Sequence, residues 1–370
     1  MNDAIIFKKI YFLIFLLLLL GGIFSYSNYN FFPVRPILEF FFFTSFVFLL
    51  KNIEVKSFIA QFVMILYVVL CLIIMIINGN DHYLDFLLIN KSLFYLMVLC
   101  FFVNKKIFDK NTVSLFLKIL LSFFLLKYLV WRILLISDRP GIFGENNFEL
   151  VFLLLVFICD SYYEAKLKIL ESIAILAVFA LSGSRSGIVC LVLVFGLLSL
   201  RRLDTRLLIS FVLIFCVSYF ALDIFMSRMT ERGFEAVDRF VFTMNFINDV
   251  SNWSLFNYLF GTYPITPMSA ETCSNLYFYQ NLFSFHDKYV CYSSILHSYV
   301  LRTIYDHGLV VLLLIVAFLN WALKFSIRKI NYRYAIIGVI LLSGLSVSSL
   351  NNIFVALGLL LSLSIKEDIK

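Results

Sequence analysis

The sequence predicts an all-α, polytopic integral membrane protein of about twelve transmembrane helices, with one large outer loop between the ninth and tenth. Three observations lead there. Hydrophobic residues make up 62% of the 370 and charged residues only 14%, with a mean hydropathy of +0.97, more apolar surface than a water-soluble fold can bury. Runs such as IYFLIFLLLLLGGIF and FIAQFVMILYVVLCLIIMII are continuously apolar and match a bilayer core of about 30 Å, whereas a membrane barrel would alternate. Basic residues are also distributed unevenly along the chain, in a way that fixes an orientation.

The predicted spans are 8–24, 36–50, 58–77, 84–103, 113–135, 147–160, 169–182, 187–200, 207–225, 302–323, 334–348 and 351–365. With the N-terminus inside, the inner connections hold 18 of the 30 Lys and Arg, the outer ones eight, and the spans four. Every inner segment then carries at least two positive charges, while the short outer ones carry one or none. Both termini are therefore expected in the cytoplasm and the long loop outside. The net charge of +7 is an orientation signal and does not point to nucleic acid. The first apolar run lacks a small-x-small cleavage site and reads as an uncleaved anchor. The organisation is 1–225 (spans one to nine), 226–300 (outer loop) and 301–370 (spans ten to twelve).

Within the loop, Phe234, Val237, Val241, Met244 and Ile247 recur at three- and four-residue steps, predicting an amphipathic helix with this face buried. FGTYPITP breaks the pattern, and LYFYQNLFSF suits a second interfacial helix. The loop's charges nearly balance, as in a folded lid. Cys273 and Cys291 both lie here and could form a disulfide in an oxidising compartment, or remain two thiols in a partly buried loop. The other five cysteines fall in or at the ends of spans and read as small hydrophobes. No internal repeat is visible.

Charged groups inside or at the outer ends of spans are expensive and become functional candidates. Arg35 lies between Pro33 and Pro36, Arg139 opens RPGIFGENNFEL, and Arg185 sits in the LSGSRSG turn. Arg239 is on the loop helix and Arg302 follows the loop. Five guanidinium groups at one face suit a phosphorylated ligand, because arginine offers a permanent charge in a planar fork. Glu145, inside the RPGIFGENN segment, is grouped with them as a substrate contact. The structural alternative is pairing with headgroups or carboxylates, as in Arg302 with Asp306 at i,i+4. His297 lies where the loop returns to the bundle, and an imidazole, with an unperturbed pKa of about 6.5, is suited to taking a proton from a hydroxyl. His82, His286 and His307 read as structural. Glu39 with Lys91 is a possible buried pair, and Lys127 and Arg132 are expected to snorkel outward. No Asp-x-Asp motif, Cys/His metal spacing, phosphate-binding glycine loop or Gly-x-Ser-x-Gly elbow is present, so no metal or cofactor is expected.

Together these residues resemble the O-antigen polymerase and ligase superfamily of bacterial envelope glycosyltransferases. The resemblance rests on the twelve-span plan with its loop between spans nine and ten, SGSRSG, RPGIFGENN, LFGTY, and His297-Ser298 followed by Gly308. It covers the second half of the chain best. Leu309, Val310 and Val311 follow Gly308 in place of the polar continuation of many ligases, which favours a polymerase. The resemblance implies a GT-C-like membrane enzyme in the bacterial inner membrane, acting at the periplasmic face. It would transfer a growing glycan from undecaprenyl diphosphate onto a lipid-linked repeat unit. His297 would be the base or acceptor-orienting group, and Arg185 and Arg139, with Arg239 or Arg302, would neutralise the diphosphate. Its partners would be the undecaprenyl-diphosphate-linked oligosaccharide, membrane lipids and a chain-length regulator. Neither ATP nor a metal is needed, because the lipid diphosphate is already activated. The competing readings are an O-antigen ligase acting on the lipid A core, a lipid-linked glycan flippase, and a non-catalytic scaffold.

Overall fold

In lipid, a chain can satisfy its backbone only within helices or closed barrels. The computed structural model describes residues 2–25, 30–49, 54–134, 139–164, 167–199 and 238–366. Among these the chain is helical, without strands; one isolated bridge joins Phe108 and Ile365. The ninth predicted span, 207–225, and the start of the loop with Phe234 and Val237 lie outside the described residues.

The helices are α1 (Asn2–Phe24), α2 (Val34–Ser45), α3 (Val55–Ile77), α4 (Tyr83–Ile89), α5 (Lys91–Leu99), α6 (Lys110–Ile133), α7 (Asn146–Glu164), α8 (Ile169–Ser182) and α9 (Arg185–Ser199). Then come α10 (Asp238–Val250), α11 (Leu255–Phe260), α12 (Ala270–Asn275), α13 (Tyr299–Lys324), α14 (Ile330–Ser346) and α15 (Ile353–Leu363). Five of the described helices (α1, α3, α6, α7 and α13) are long and apolar enough to cross a membrane. A sixth would be α4 with the segment Lys91–Phe102, bent by 57° between them. The expected continuous span 84–103 is thus broken at Asn90, where α4 ends on the Asn90 N–H to Phe86 carbonyl bond. The protein is a helical membrane protein.

α7 and α15 are buried on nearly every side and occupy the centre, as helices with apolar residues all round must. Eleven residues reach only about 17 Å at 1.5 Å per residue, so α15 is suited to protein on all sides. Phenyl rings fill the space around the pair: Phe15 stacks on Phe152 at 4.8 Å, and Phe143 lies 5.4 Å from Phe354. In contrast, α3 exposes Phe58, Phe62, Ile65, Leu66 and Ile73, a surface suited to lipid.

Polar contacts gather at the two ends of this bundle. At one end Lys8 meets Asp109 at 3.2 Å, Lys168 bridges Asp160 and Glu164, and the Lys366 N–H donates to the Phe108 carbonyl. Arg328 and Tyr332 join this end through Tyr162 and Ser161. At the other end lie the C-terminus of α1, the 139–149 loop, the 182–187 turn and the start of α13. Lys127 donates to the Gly22 and Ser25 carbonyls there and lies over the Trp131 ring, 3.4 Å from its centroid. It is buried, so the expectation that it snorkels outward is corrected: the open carbonyls at the end of α1 offer it acceptors inside the protein. Arg132 likewise donates to the Leu181 carbonyl at the end of α8.

Residues 238–298 pack at the second end with their own small core, built from Phe242, Phe246, Val250, Leu276, Phe283, Ile295 and Leu296. Their helix α10 carries two apolar faces, and the buried one is Phe242–Phe246–Val250. Met244 and Ile247, expected inside, are exposed, since the larger phenyl rings bury more surface in the inward position. LYFYQNLFSF forms a 3-10 helix over Tyr277–Leu282, kinked at Tyr279, in place of the expected helix. Cys273 and Cys291 are joined as a disulfide.

Candidate functional site

The 139–149 loop is organised by a carboxylate that the sequence reading passed over. Glu149, wholly buried in the first turn of α7, accepts the backbone N–H groups of Ile142 (2.9 Å), Phe143 (2.8 Å) and Gly144 (2.5 Å). Three donors converging on one carboxylate close the loop into a tight cup, and the helix N-terminus favours the negative charge. Its sequence signal is an acidic residue in the first turn of an otherwise apolar helix, directly after a glycine-containing loop.

Asparagine side chains then tie this cup to the next turn. Asn146 donates to the carbonyls of Pro140 (2.9 Å) and Ser182 (2.8 Å), while the Ser184 hydroxyl donates to Asn147 at 2.7 Å. Gly183 supplies the left-handed residue, φ +63°, that reverses the chain between α8 and α9. The segments RPGIFGENN and SGSRSG therefore form one hydrogen-bonded unit. Arg139, exposed, opens this unit, and Arg185, half-buried, closes it as the first residue of α9. Arg35 pairs with Glu145 across the exposed rim of the same unit.

His297 belongs to a neighbouring unit. It is exposed, takes a left-handed backbone (φ +53°) at the end of the 3-10 helix Ser293–Leu296, and sets its ring against Phe242 of α10 at 5.2 Å. Ser298 caps α13 and donates its hydroxyl to the Gly344 carbonyl. Ser348, which the sequence reading did not single out, donates to the His297 carbonyl at 3.0 Å and accepts from Arg302 at 3.3 Å. Arg302 is buried and also reaches the Leu88 carbonyl at the α4 bend, so it holds the bundle together behind His297. The Asp306 carboxylate accepts the Ser293 hydroxyl at 2.6 Å. Arg239, half-buried, lies on α10 one turn before Phe242.

The two units share one end of the bundle. Asn331 of α14 donates to the Leu197 carbonyl of α9, Gly338 abuts Leu193, and Cys190 faces the Val339 carbonyl. α9 and α14 are thus antiparallel, and the start of α9 at Arg185 lies towards the end of α14 where Ser298 docks. Further along α13, the loop is locked to this helix by two glycines. Gly261 and Gly308 both have positive φ, and a Cβ on Gly308 would stand 2.3 Å from the Leu259 carbonyl oxygen. The Thr262 N–H and hydroxyl both donate to the Tyr305 carbonyl, and His307 Nδ1 lies 2.9 Å from the Tyr67 hydroxyl. LFGTY and the glycine after the histidine motif are consequently one junction.

Glu39 and Lys91 do meet, at 2.5 Å, with the Tyr95 hydroxyl donating to the same oxygen at 3.0 Å. A cavity of about 560 Å³ lies elsewhere, between α6 and α8, lined by Leu121, Leu125, Leu170 and Ala174 with Lys118, Lys168 and Glu171. Its predominantly apolar walls at the lysine-rich end suit a lipid chain better than a sugar. Compared with known protein families, curated proteins and solved structures, the chain matches none.

Proposed function

We propose that the chain is an O-antigen polymerase of the bacterial inner membrane, transferring a growing glycan from undecaprenyl diphosphate onto a lipid-linked repeat unit at the periplasmic face. One observation carries the reading: Arg35, Arg139 and Arg185 line a knitted pair of loops at the same end of the bundle as His297 and the disulfide-closed loop. The topology supports it. α9 ends among the lysine-rich contacts, and α10 lies at the opposite end of the bundle. A disulfide on the lid fits the oxidising side, and the lysine-rich end then faces the cytoplasm with both termini.

In the proposed reaction the acceptor hydroxyl oxygen bonds to the anomeric carbon as the bond from that carbon to the diphosphate oxygen breaks. The hydroxyl proton passes to His297, and undecaprenyl diphosphate leaves with the electron pair. Arg185 and Arg139 offset its growing charge. Arg239, one turn before Phe242 on α10, meets the donor glycan or its phosphate, and Arg302 holds the His297 turn in place.

Surface polysaccharide from a deletion strain carrying variants tests this. His297→Ala is expected to abolish long chains, leaving single repeat units on the lipid core, with normal insertion of the protein. Arg185→Lys is expected to lower chain yield at least about 10-fold, because a point charge does not replace the fork. Long chains of normal distribution from His297→Ala would defeat the base assignment. Bare core with long chains on carrier lipid in the deletion would assign a ligase instead, and units stranded inside would assign a flippase.

A further inference from the structure

Two of the four histidines, far apart in sequence, meet at the outer end of the bundle. His82, in the turn before α4, stacks on His286, in the loop after the 3-10 helix, with ring centroids 4.7 Å apart and planes 13° from parallel. Asp81 joins them: one ligand-capable atom from each of Asp81, His82 and His286 lies within 4.8 Å of the others. We propose that these three residues bind a divalent transition metal, Zn²⁺ being the best match, which clamps the outer loop to the membrane bundle.

The surroundings prepare His82 to act as a ligand. Its Nδ1 lies 2.7 Å from the Tyr292 hydroxyl and 3.8 Å from the Asp85 carboxylate. A proton on Nδ1 is directed at these oxygens, which leaves the Nε2 lone pair towards Asp81, whose carboxylate oxygen is 3.9 Å away. A carboxylate behind the far nitrogen of a histidine is the arrangement that orients metal-binding imidazoles. Asp85 is buried and also shapes the partner loop, accepting the Ser284 hydroxyl at 2.6 Å and the Phe285 N–H at 3.1 Å. Ser284 in turn accepts the His286 N–H at 3.0 Å, and Asn80 accepts the His82 N–H at 2.9 Å. One buried carboxylate therefore sets the position of both histidines.

The donor set decides the ion. Two imidazoles and a carboxylate suit Zn²⁺, Ni²⁺ or Cu²⁺, whereas Ca²⁺ and Mg²⁺ prefer all-oxygen shells. Ligand atoms about 2.0–2.1 Å from a tetrahedral Zn²⁺ stand roughly 3.3 Å apart. Reaching that from the stacked arrangement needs the His286 ring to rotate out of the stack as well as shifts of about 1 Å, both within the freedom of the exposed Asp81 and His286 side chains. Water completes the fourth position from the open side. The site is separate from the arginine loops and does not depend on the polymerase reading.

The test uses the full chain in detergent, without an oligohistidine tag, stripped with chelator and titrated with Zn²⁺ against a chromogenic competitor. One Zn²⁺ per chain is expected, with Co²⁺ giving visible tetrahedral ligand-field bands. His286→Ala is expected to weaken binding by more than about 100-fold, and Asp85→Asn by about 10–100-fold. His286→Cys, which offers another Zn²⁺ ligand, should retain binding and so separates lost ligation from lost folding. Zn²⁺ should also slow proteolysis of the loop in the wild type and not in His286→Ala. No stoichiometric Zn²⁺ on the wild type, or an unchanged affinity in His286→Ala, would overturn the proposal.

Discussion

The bundle and the loop over residues 238–298 answer the same problem, unsatisfied backbone groups, with opposite charges. In the bundle, cations cover helix ends: Lys127 donates to two carbonyls at the end of α1, Arg132 to one of α8, and Arg302 to one at the α4 bend. In the loop, carboxylates cover turns: Asp249 accepts the Ser269 N–H and the Thr272 hydroxyl, and Asp85 the Phe285 N–H. The reason is geometric. A helix ending at the membrane edge leaves carbonyls open, which need donors, whereas a chain of tight turns leaves N–H groups open, which need acceptors. Glu149 and Asp109 are instructive exceptions: Glu149 serves a loop built into the bundle, and Asp109 accepts the Thr112 N–H at the start of α6. The two regions also differ in core size. The bundle core is broad and aromatic, while the loop's small core is supplemented by a disulfide and a glycine junction.

Breaking that junction should have the largest effect. Gly308→Ala puts a Cβ into the Leu259 carbonyl and forces alanine into a left-handed backbone. Strain and overpacking together are expected to cost about 4 kcal/mol, expressed as separation of loop from bundle. Limited proteolysis should then cut within 255–296 while the bundle helices stay protected. Uniform protection in the variant would mean that the two regions do not depend on this crossing.

Next in size is the disulfide. Cys273→Ser opens a link across 18 residues, worth about 3 kcal/mol by the chain-entropy argument. The expected loss is confined to the loop: thermal denaturation of the loop, followed by cysteine-independent protease sensitivity, falls to a lower temperature, and helix content is unchanged. An equal loss of helix content would show one cooperative unit where two are argued.

The same division governs what could be read from sequence. Spans reported themselves through hydropathy, so 169–182 coincides with α8, and the local signals of glycine and proline marked the loops that hold Arg139 and Arg185. Contacts within one turn or one motif were legible. Those set by three-dimensional packing were not. Which apolar face of α10 turns inward depends on Leu276 and Leu296, which come much later in the chain. The burial of Lys127 depends on where α1 ends, and the stacking of His82 on His286 depends on a loop 200 residues away being folded back by Asp85. The bend at Asn90 had no glycine or proline to announce it. Glu39 with Lys91 was found because two opposite charges in apolar runs have few other partners.

The smallest effect on stability should come from the exposed rim pair, and it sharpens the comparison most. Arg35 and Glu145 are each about half exposed, 47% and 53%, so water screens their attraction and the pair contributes roughly 0–1 kcal/mol. Arg35→Gln should therefore leave thermal stability within that range, unlike Gly308→Ala or Cys273→Ser. If the rim faces a diphosphate, the same change should shorten the polysaccharide or lower its amount, read on the chain-length distribution from a complemented deletion strain. Glu145→Gln releases Arg35 from its carboxylate and should shift the distribution the opposite way. A stability loss well above 1 kcal/mol with normal chain length would make the pair a structural strut and would leave Arg139 and Arg185 as the only rim arginines for the donor.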